Sequence, residues 1–351
     1  MKERKLKLQE LELDLGRTAS GGVAWLRCPS NPHIYASGRS GSGKTVFLKR
    51  LLRQALEQET LCLILDYSNS FSDFLPPPGI SFHRVDVTGP SFTMNPLAHT
   101  GWDPRTSAQQ LLSILTQIFR LGPRASLELL QTTQAYLEKE ADRPTLSGLC
   151  QYADIQAAPK SGLASALEAL KLLAYLIRCG EEPISLDLSE PGLCILDFSR
   201  TRGQQLHSIL AEMILQTLWL QRCTGDAPAE GAVPLIIVLD ECQGLAWKEG
   251  SAAVRLLREG RKYDVGGWFC SQWLRNETAI SALQQAALQA HFRPEDVSVT
   301  SLAKMLCPGT RGEVDKCRRL LQSLDVGQFL WLRKGCIPIR ISVPNDKVIS
   351  E

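Results

Sequence analysis

Hydrophobic residues near the start of the chain alternate with charged ones. Leu6 and Leu8, then Leu11, Leu13 and Leu15, repeat every second position, which predicts one or two short strands with one buried face. Gly21-Gly22 turns the chain into a further strand from Val23 to Arg27. His33 to Ser37 is a compact apolar run that feeds a glycine-rich loop and then a helix from Lys44 to Glu57. Leu61 to Leu65 is apolar throughout and ends at Asp66, the pattern of a strand covered on both faces in a parallel sheet. Pro76, Pro77 and Pro78 stiffen the connector to another strand from Phe82 to Val87.

From Asp103 to Cys179 the period changes. Leu111, Leu112, Leu115 and Ile118 recur at helical spacing, as do Leu127, Leu130, Thr133 and Leu137, and then Leu163, Leu167, Leu170 and Leu173. No β-rich run interrupts them, which predicts an inserted all-helical subdomain. Alternation of strand and helix then resumes. Strands are expected at Leu193 to Phe198, Pro234 to Leu239 and Gly266 to Cys270, with helices at Gln204 to Arg222 and Ala252 to Arg261. Two further helices and two strands, near Gln328 to Leu332 and Ile337 to Val343, complete the chain. Strands separated by helices imply an α/β fold with a mostly parallel sheet and helices on both faces. The expected divisions are an N-terminal β-arm over 1–30, an α/β core over 31–102 and 180–351, and the helical insertion over 103–179.

Composition narrows the picture. Among 351 residues, 39 Lys and Arg against 37 Asp and Glu leave a net charge of +2, so any nucleic-acid surface must be local. Eleven cysteines without a C-x-x-C pair or a nearby pair of histidines argue against a zinc site. An odd cysteine count and the lack of a signal peptide fit reduced thiols in the cytoplasm. The longest apolar runs, such as Leu235 to Leu239, are too short to cross a bilayer, so direct membrane insertion is not expected.

The chemistry begins at Gly38-Arg39-Ser40-Gly41-Ser42-Gly43-Lys44-Thr45, a complete G-x-x-x-x-G-K-[ST] between a strand and a helix. Glycines let such a loop curl so that successive N–H groups face phosphate oxygens, and the helix adds its positive end. These eight residues and Val46 are the expected nucleotide-binding set. Lys44 is expected on the β- and γ-phosphates, and the Thr45 hydroxyl on Mg²⁺. Leu235 to Leu239 then delivers Asp240-Glu241 to the carboxyl end of a buried strand. Asp240 is the second metal-side residue, and Glu241 the base that polarises the attacking water. The adjacent glutamate points to ATP hydrolysis, and the guanine-reading Asn-Lys-x-Asp is absent.

Ser271-Gln272 follows the next strand, where Gln272 could touch the γ-phosphate. Arg255, Arg258, Arg261 and Lys262 recur at three- and four-residue spacing on one helix. Arg258 and Arg261 would share a face near the carboxyl edge of the sheet. Two roles remain open for them: a finger that reaches a neighbouring subunit's ATP, or a contact to the DNA backbone. A second basic cluster, Arg311, Lys316, Arg318 and Arg319, reads as a solvated face. Leu146-Ser147-Gly148 is only a fragment of an ABC signature, and His33 reads as a packing or capping residue.

Taken together, these residues resemble the HerA–FtsK superfamily of hexameric pumping ATPases over about residues 14 to 343. Pro32-His33-Ile34-Tyr35-Ala36-Ser37-Gly38 resembles the family's lead-in to the phosphate loop. Met94-Asn95-Pro96-Leu97 resembles its Asn-Pro-Leu segment, and Pro144-Thr145-Leu146 a Pro-Thr-Leu within the insertion. The most specific stretch runs from Leu257-Arg258-Glu259-Gly260-Arg261-Lys262-Tyr263 to Gly266, followed by Ser271-Gln272. The resemblance implies a RecA-like P-loop core, Gln272 as sensor, Arg258 or Arg261 acting on phosphate, and assembly into a homo-hexamer that moves double-stranded DNA. Motors of type IV secretion, which export protein or protein–DNA, share these motifs, and a nucleotide-gated regulator of another effector is a third reading. Cys242-Gln243 stands where Ala-His is frequent, and Asp66-Tyr67-Ser68-Asn69 lacks a frequent Gly-Glu. With about 30 residues before the core, the expectation is a minimal motor whose cargo specificity lies in a partner protein.

Overall fold

The computed structural model describes residues 7–27, 31–89, 92, 95–97, 103–140, 144–176, 190–201, 203–222, 233–272, 274, 276–332 and 338–344. Its first strands, β1 (Glu12–Thr18) and β2 (Val23–Arg27), form a hairpin. β3 (Ile34–Ser37) leads into α1 (Lys44–Leu56), followed by β4 (Leu61–Asp66) and β5 (Ser81–Asp86). Four helices come next: α2 (Pro104–Ile118), α3 (Pro123–Lys139), α4 (Leu146–Gln156) and α5 (Gly162–Leu176). Then follow β6 (Gly192–Asp197), α6 (Gln204–Arg222), β7 (Leu235–Leu239), α7 (Ala252–Glu259) and β8 (Val265–Ser271). The chain closes with α8 (Glu277–Leu283), β9 (Leu288–Phe292), α9 (Val299–Leu306), α10 (Arg311–Gln322), β10 (Gln328–Leu332) and β11 (Ile339–Ser342).

All eleven strands join one sheet in the order β2-β1-β11-β10-β9-β3-β8-β7-β4-β6-β5. The strands from β9 to β5 run parallel, whereas β10, β11, β1 and β2 are added antiparallel. The period of two divides the apolar residues between two cores. Leu61, Leu63 and Leu65 of β4 face a core that includes Leu111 and Leu115 of α2 and Leu215 of α6. Cys62 and Ile64 face the other, with Phe47, Leu48, Leu51 and Leu52 of α1. Phe47 sits with its ring centroid 4.9 Å from that of Phe329 and 5.7 Å from that of Phe292. This packing clamps the helix that opens at the phosphate loop onto the sheet.

Two of the resemblance-bearing segments meet at the base of the helical insertion. Asn95 donates its side-chain amide N–H to the Pro144 carbonyl at 2.8 Å, and its own amide oxygen accepts from Leu97 N at 3.1 Å. Thr145 caps α4 by accepting from Gly148 N at 3.0 Å. A Cβ at Gly148 would run into the Tyr136 hydroxyl, so packing accounts for the glycine of Leu146-Ser147-Gly148. Met94 and the boundary expected at 179–180 lie outside the described residues.

The structure departs from the sequence reading in four places. Over 7–27 the expected N-terminal arm is a continuation of the main sheet, because β1 pairs with β11 and buries Leu13 and Leu15 in the α1 core. Leu8–Glu10 forms one 3-10 turn instead of a strand. The helix expected to Arg261 stops at Glu259 and tightens into a 3-10 turn over Gly260–Tyr263. Among the described residues the C-terminal part holds three helices and an extra strand, β9, between β3 and β10. Its sequence is rich in Leu, Ala and Gln, which favour helix, and pairing with two neighbours overrides that preference.

Candidate nucleotide-binding site

The sheet order β3-β8-β7 puts one strand between the phosphate loop and Asp240-Glu241. All three strands are parallel, so their carboxyl ends open on the same cleft. Ser40, Gly41, Gly43, Lys44, Thr45, Val46, Asp240, Glu241 and Gln272 line it. Gly38, Arg39 and Ser42 belong to the same loop but do not line the cleft.

The loop holds its curl through steric necessity. Gly43 has φ +102°, and a Cβ there would lie 2.9 Å from Gly327 N. Gly38 has φ +154°, and its Cβ would lie 2.7 Å from Phe292 Cβ. Only glycine fits such positions without displacement of the neighbours. Ser42 O accepts from Gly327 N at 3.0 Å, so the turn before β10 braces the loop. Lys44 is buried, and its Nζ donates to the carbonyls of Gly38 at 2.8 Å and Arg39 at 2.9 Å. Burial lowers its pKa, while the Cys270 thiol and the Asp240 and Glu241 carboxylates oppose the shift.

Across the cleft, the Thr45 hydroxyl donates to Asp240 Oδ2 at 3.2 Å. That pairing brings together the two residues expected to face a metal ion. They fit Mg²⁺, which binds through few protein oxygens and keeps its waters and phosphate ligands. Among the described residues no cluster of three or more His, Cys, Asp or Glu forms a separate metal site. Glu241 follows in the left-handed region, φ +60° and ψ +44°, and its N–H donates to Asp240 Oδ1 at 3.1 Å. A glutamate in this conformation is held by its surroundings. Here Trp247 Nε1 donates to the Cys242 carbonyl at 2.8 Å and pins the turn. The buried Cys242 supplies the small side chain that this packing accepts.

Two cleft residues were missed from the sequence. Asp66 accepts from Ser70 N at 2.8 Å and Phe71 N at 3.0 Å, which folds the loop after β4 so that Ser70 lines the cleft. Burial raises the Asp66 pKa, and the two N–H donors oppose the rise. The aspartate at the strand end was legible in the sequence, but the loop it organises was not. Val326, exposed at the cleft beside Gly327, carries no motif signal.

The basic helix is not a single stripe. Arg255 donates to Gln216 Oε1 at 2.8 Å, and Gln216 in turn donates to Gln110 of the insertion at 2.8 Å. Arg258 is held by both carboxylate oxygens of Glu249, at 2.6 and 2.8 Å. Arg261 lies in the turn before β8, electrostatically coupled to His33 just before β3. That is the amino edge of the sheet, which corrects the expectation of a position near the carboxyl edge. β3 separates it from the phosphate loop by about 13 Å at the usual rise per residue. Neither Arg258 nor Arg261 lines the cleft of its own subunit. His33 itself is a packing residue: it is buried, accepts from Gly267 N at 2.9 Å, and has its pKa lowered to about 4 by burial and Arg261. In the second basic cluster, Arg318 pairs with Asp315 at 3.4 Å on a partly exposed face.

Fold and site together define a RecA-like P-loop ATPase architecture. The sequence matches no family model and no curated protein. Solved structures do match. VirB4 of Thermoanaerobacter pseudethanolicus is 17% identical, with a TM-score of 0.75 over 96% of this chain and 97% of that one. The bacterial conjugative coupling protein TrwB, in a trigonal form with sulphate, is 14% identical with a TM-score of 0.64 over 94% of this chain and 89% of that one. TrwB in complex with ADP and Mg²⁺ is 13% identical, with a TM-score of 0.63 over 89% and 85%. At these identities the likeness is one of fold, and it is the fold that the HerA–FtsK resemblance implied. No helix among the described residues is long and apolar enough to cross a membrane.

Proposed function

We propose that this chain is an ATP-hydrolysing ring motor that uses Mg²⁺ and moves double-stranded DNA. The observation that carries the ATPase reading is the Thr45–Asp240 contact across the cleft, with Glu241 next in sequence and Lys44 beside it. Backbone N–H groups of residues 38–46 and Lys44 would hold the phosphates, and Thr45 and Asp240 would face the metal. The ion supplies charge neutralisation at the phosphates when bound. Glu241 orients and deprotonates water, and Gln272 reports on the terminal phosphate.

Arg258 or Arg261 completes a neighbouring subunit's site, a reading supported by their positions away from the cleft of their own subunit. This requires a ring, most simply a homo-hexamer in the cytoplasm, with cargo choice made by a partner protein. The DNA substrate is what the HerA–FtsK resemblance implies, and the fold is shared with a conjugative coupling protein over most of both chains. An export motor is the second reading, because motors of type IV secretion share these motifs. The deciding experiment is the ATPase rate with and without linear duplex DNA, read beside the assembly state. Stimulation of the assembled ring by DNA supports translocation. An active ring indifferent to DNA would transfer the proposal to export or regulation.

A further inference from the structure

Three parallel strands place a row of polar side chains on one buried face that reaches the cleft at Ser271. The register pairs Ser37 of β3 with Ser271 of β8 on one side and with His291 of β9 on the other. Tyr35 lies two residues earlier on β3 and so projects from the same face. All four side chains are buried. The Tyr35 hydroxyl and Ser271 Oγ are 2.8 Å apart, and Ser37 Oγ and His291 Nδ1 are 2.7 Å apart. The Tyr35 ring also meets the His291 ring edge-on, with centroids 6.1 Å apart. Two residues earlier on β8, Phe269 on this face belongs to the apolar core, so the polar row is confined to the strand ends beside the cleft.

The row touches both halves of the site. Ser37 immediately precedes Gly38, and Ser271 immediately precedes Gln272. Gly38 N also donates to the Ser271 carbonyl at 3.2 Å. Ser271 is therefore fixed at its backbone by the phosphate loop and at its side chain by Tyr35. A phenylalanine at 35 would fill the same space, so packing alone does not call for the hydroxyl.

We propose that Tyr35 is a positioning residue, which with the Ser37–His291 pair sets the end of β8, and hence Gln272, against the phosphate loop. The inference rests on the proposed ATPase reading. It acts on the orientation of a group near the terminal phosphate, so its loss should slow turnover and spare ground-state binding.

The test uses the full chain. Tyr35→Phe should lower kcat about tenfold, with KM and the affinity for a fluorescent ATP analogue within about twofold of wild type. Ser271→Ala removes the same hydrogen bond from the other side and should reproduce that loss. The double variant should be no slower than either single one, because both substitutions break one contact. If Tyr35→Phe fails to fold, as judged by circular dichroism, Ser271→Ala alone decides. Unchanged kcat with only a lower melting temperature, equal losses in kcat and affinity, or additive losses in the double variant would each overturn the proposal. An inactive wild type would overturn it together with the ATPase reading, whereas an active wild type matched by Tyr35→Phe overturns the positioning role alone.

Discussion

Glu212 offers a test of how the helix behind the Asp240-Glu241 turn is held. It lies in α6 at 3% exposure, and its Oε1 accepts from Ala252 N, the first residue of α7, at 2.8 Å. Burial raises its pKa from 4.5 to about 7, opposed by the Ala252 N–H and by the charges of Arg255 and Lys248. The sign follows from linkage. The folded chain binds this proton more tightly than the unfolded chain, so the stabilisation is fully present below 4.5 and is lost as pH rises through 7. That interval amounts to about 3 kcal/mol at most. Glu212→Gln keeps an oxygen for Ala252 N and removes the buried charge. At pH 8 the variant should therefore be more stable than wild type by about 1–3 kcal/mol, a difference that fades toward pH 4.5. Urea unfolding at pH 8, 6 and 4.5 measures it directly. A wild type that is the more stable protein at pH 8, or a difference that ignores pH, would show that Glu212 carries no buried charge at neutral pH.

Three further outcomes follow from the site and its packing. Gly43→Ala forces a Cβ against Gly327 N at positive φ, so nucleotide titration should show at least about tenfold weaker binding while the melting curve still shows a cooperative fold. Phe47→Ala removes the ring packed between Phe292 and Phe329 and should cost about 3–5 kcal/mol in denaturant unfolding. Inactive Lys44→Ala subunits mixed with inactive Arg258→Ala or Arg261→Ala subunits should regain some ATPase activity once fluorescence transfer shows exchange. Absent recovery would mean that neither arginine acts across an interface.

The strands flanking the site were legible because each is an unbroken apolar run that ends in a chemical signature. Leu61–Asp66 and Leu235–Leu239 are examples, and a buried parallel strand has few other ways to read. The phosphate loop was legible for a different reason, since its glycines answer a geometric demand that no other residue meets. β9 was hidden because Leu, Ala and Gln favour helix, a preference that only pairing with β3 and β10 overrides. The separation of Arg255, Arg258 and Arg261 was hidden too. Their spacing promises a shared helix face, but the helix ends at Glu259, and each guanidinium is drawn to different surroundings. Ser70 and Val326 reach the cleft through loops whose paths depend on tertiary contacts, and spacing carries no trace of these.

The proposed role of Glu241 is to activate water for ATP hydrolysis. Glu241→Gln preserves the size and hydrogen-bonding reach of the side chain and removes the base. Nucleotide affinity and steady-state hydrolysis, measured separately on the assembled protein with Mg²⁺, should show binding within about twofold of wild type and turnover lower by about 10² or more. Turnover close to wild type, or parallel loss of binding and turnover, would rule out Glu241 as the base.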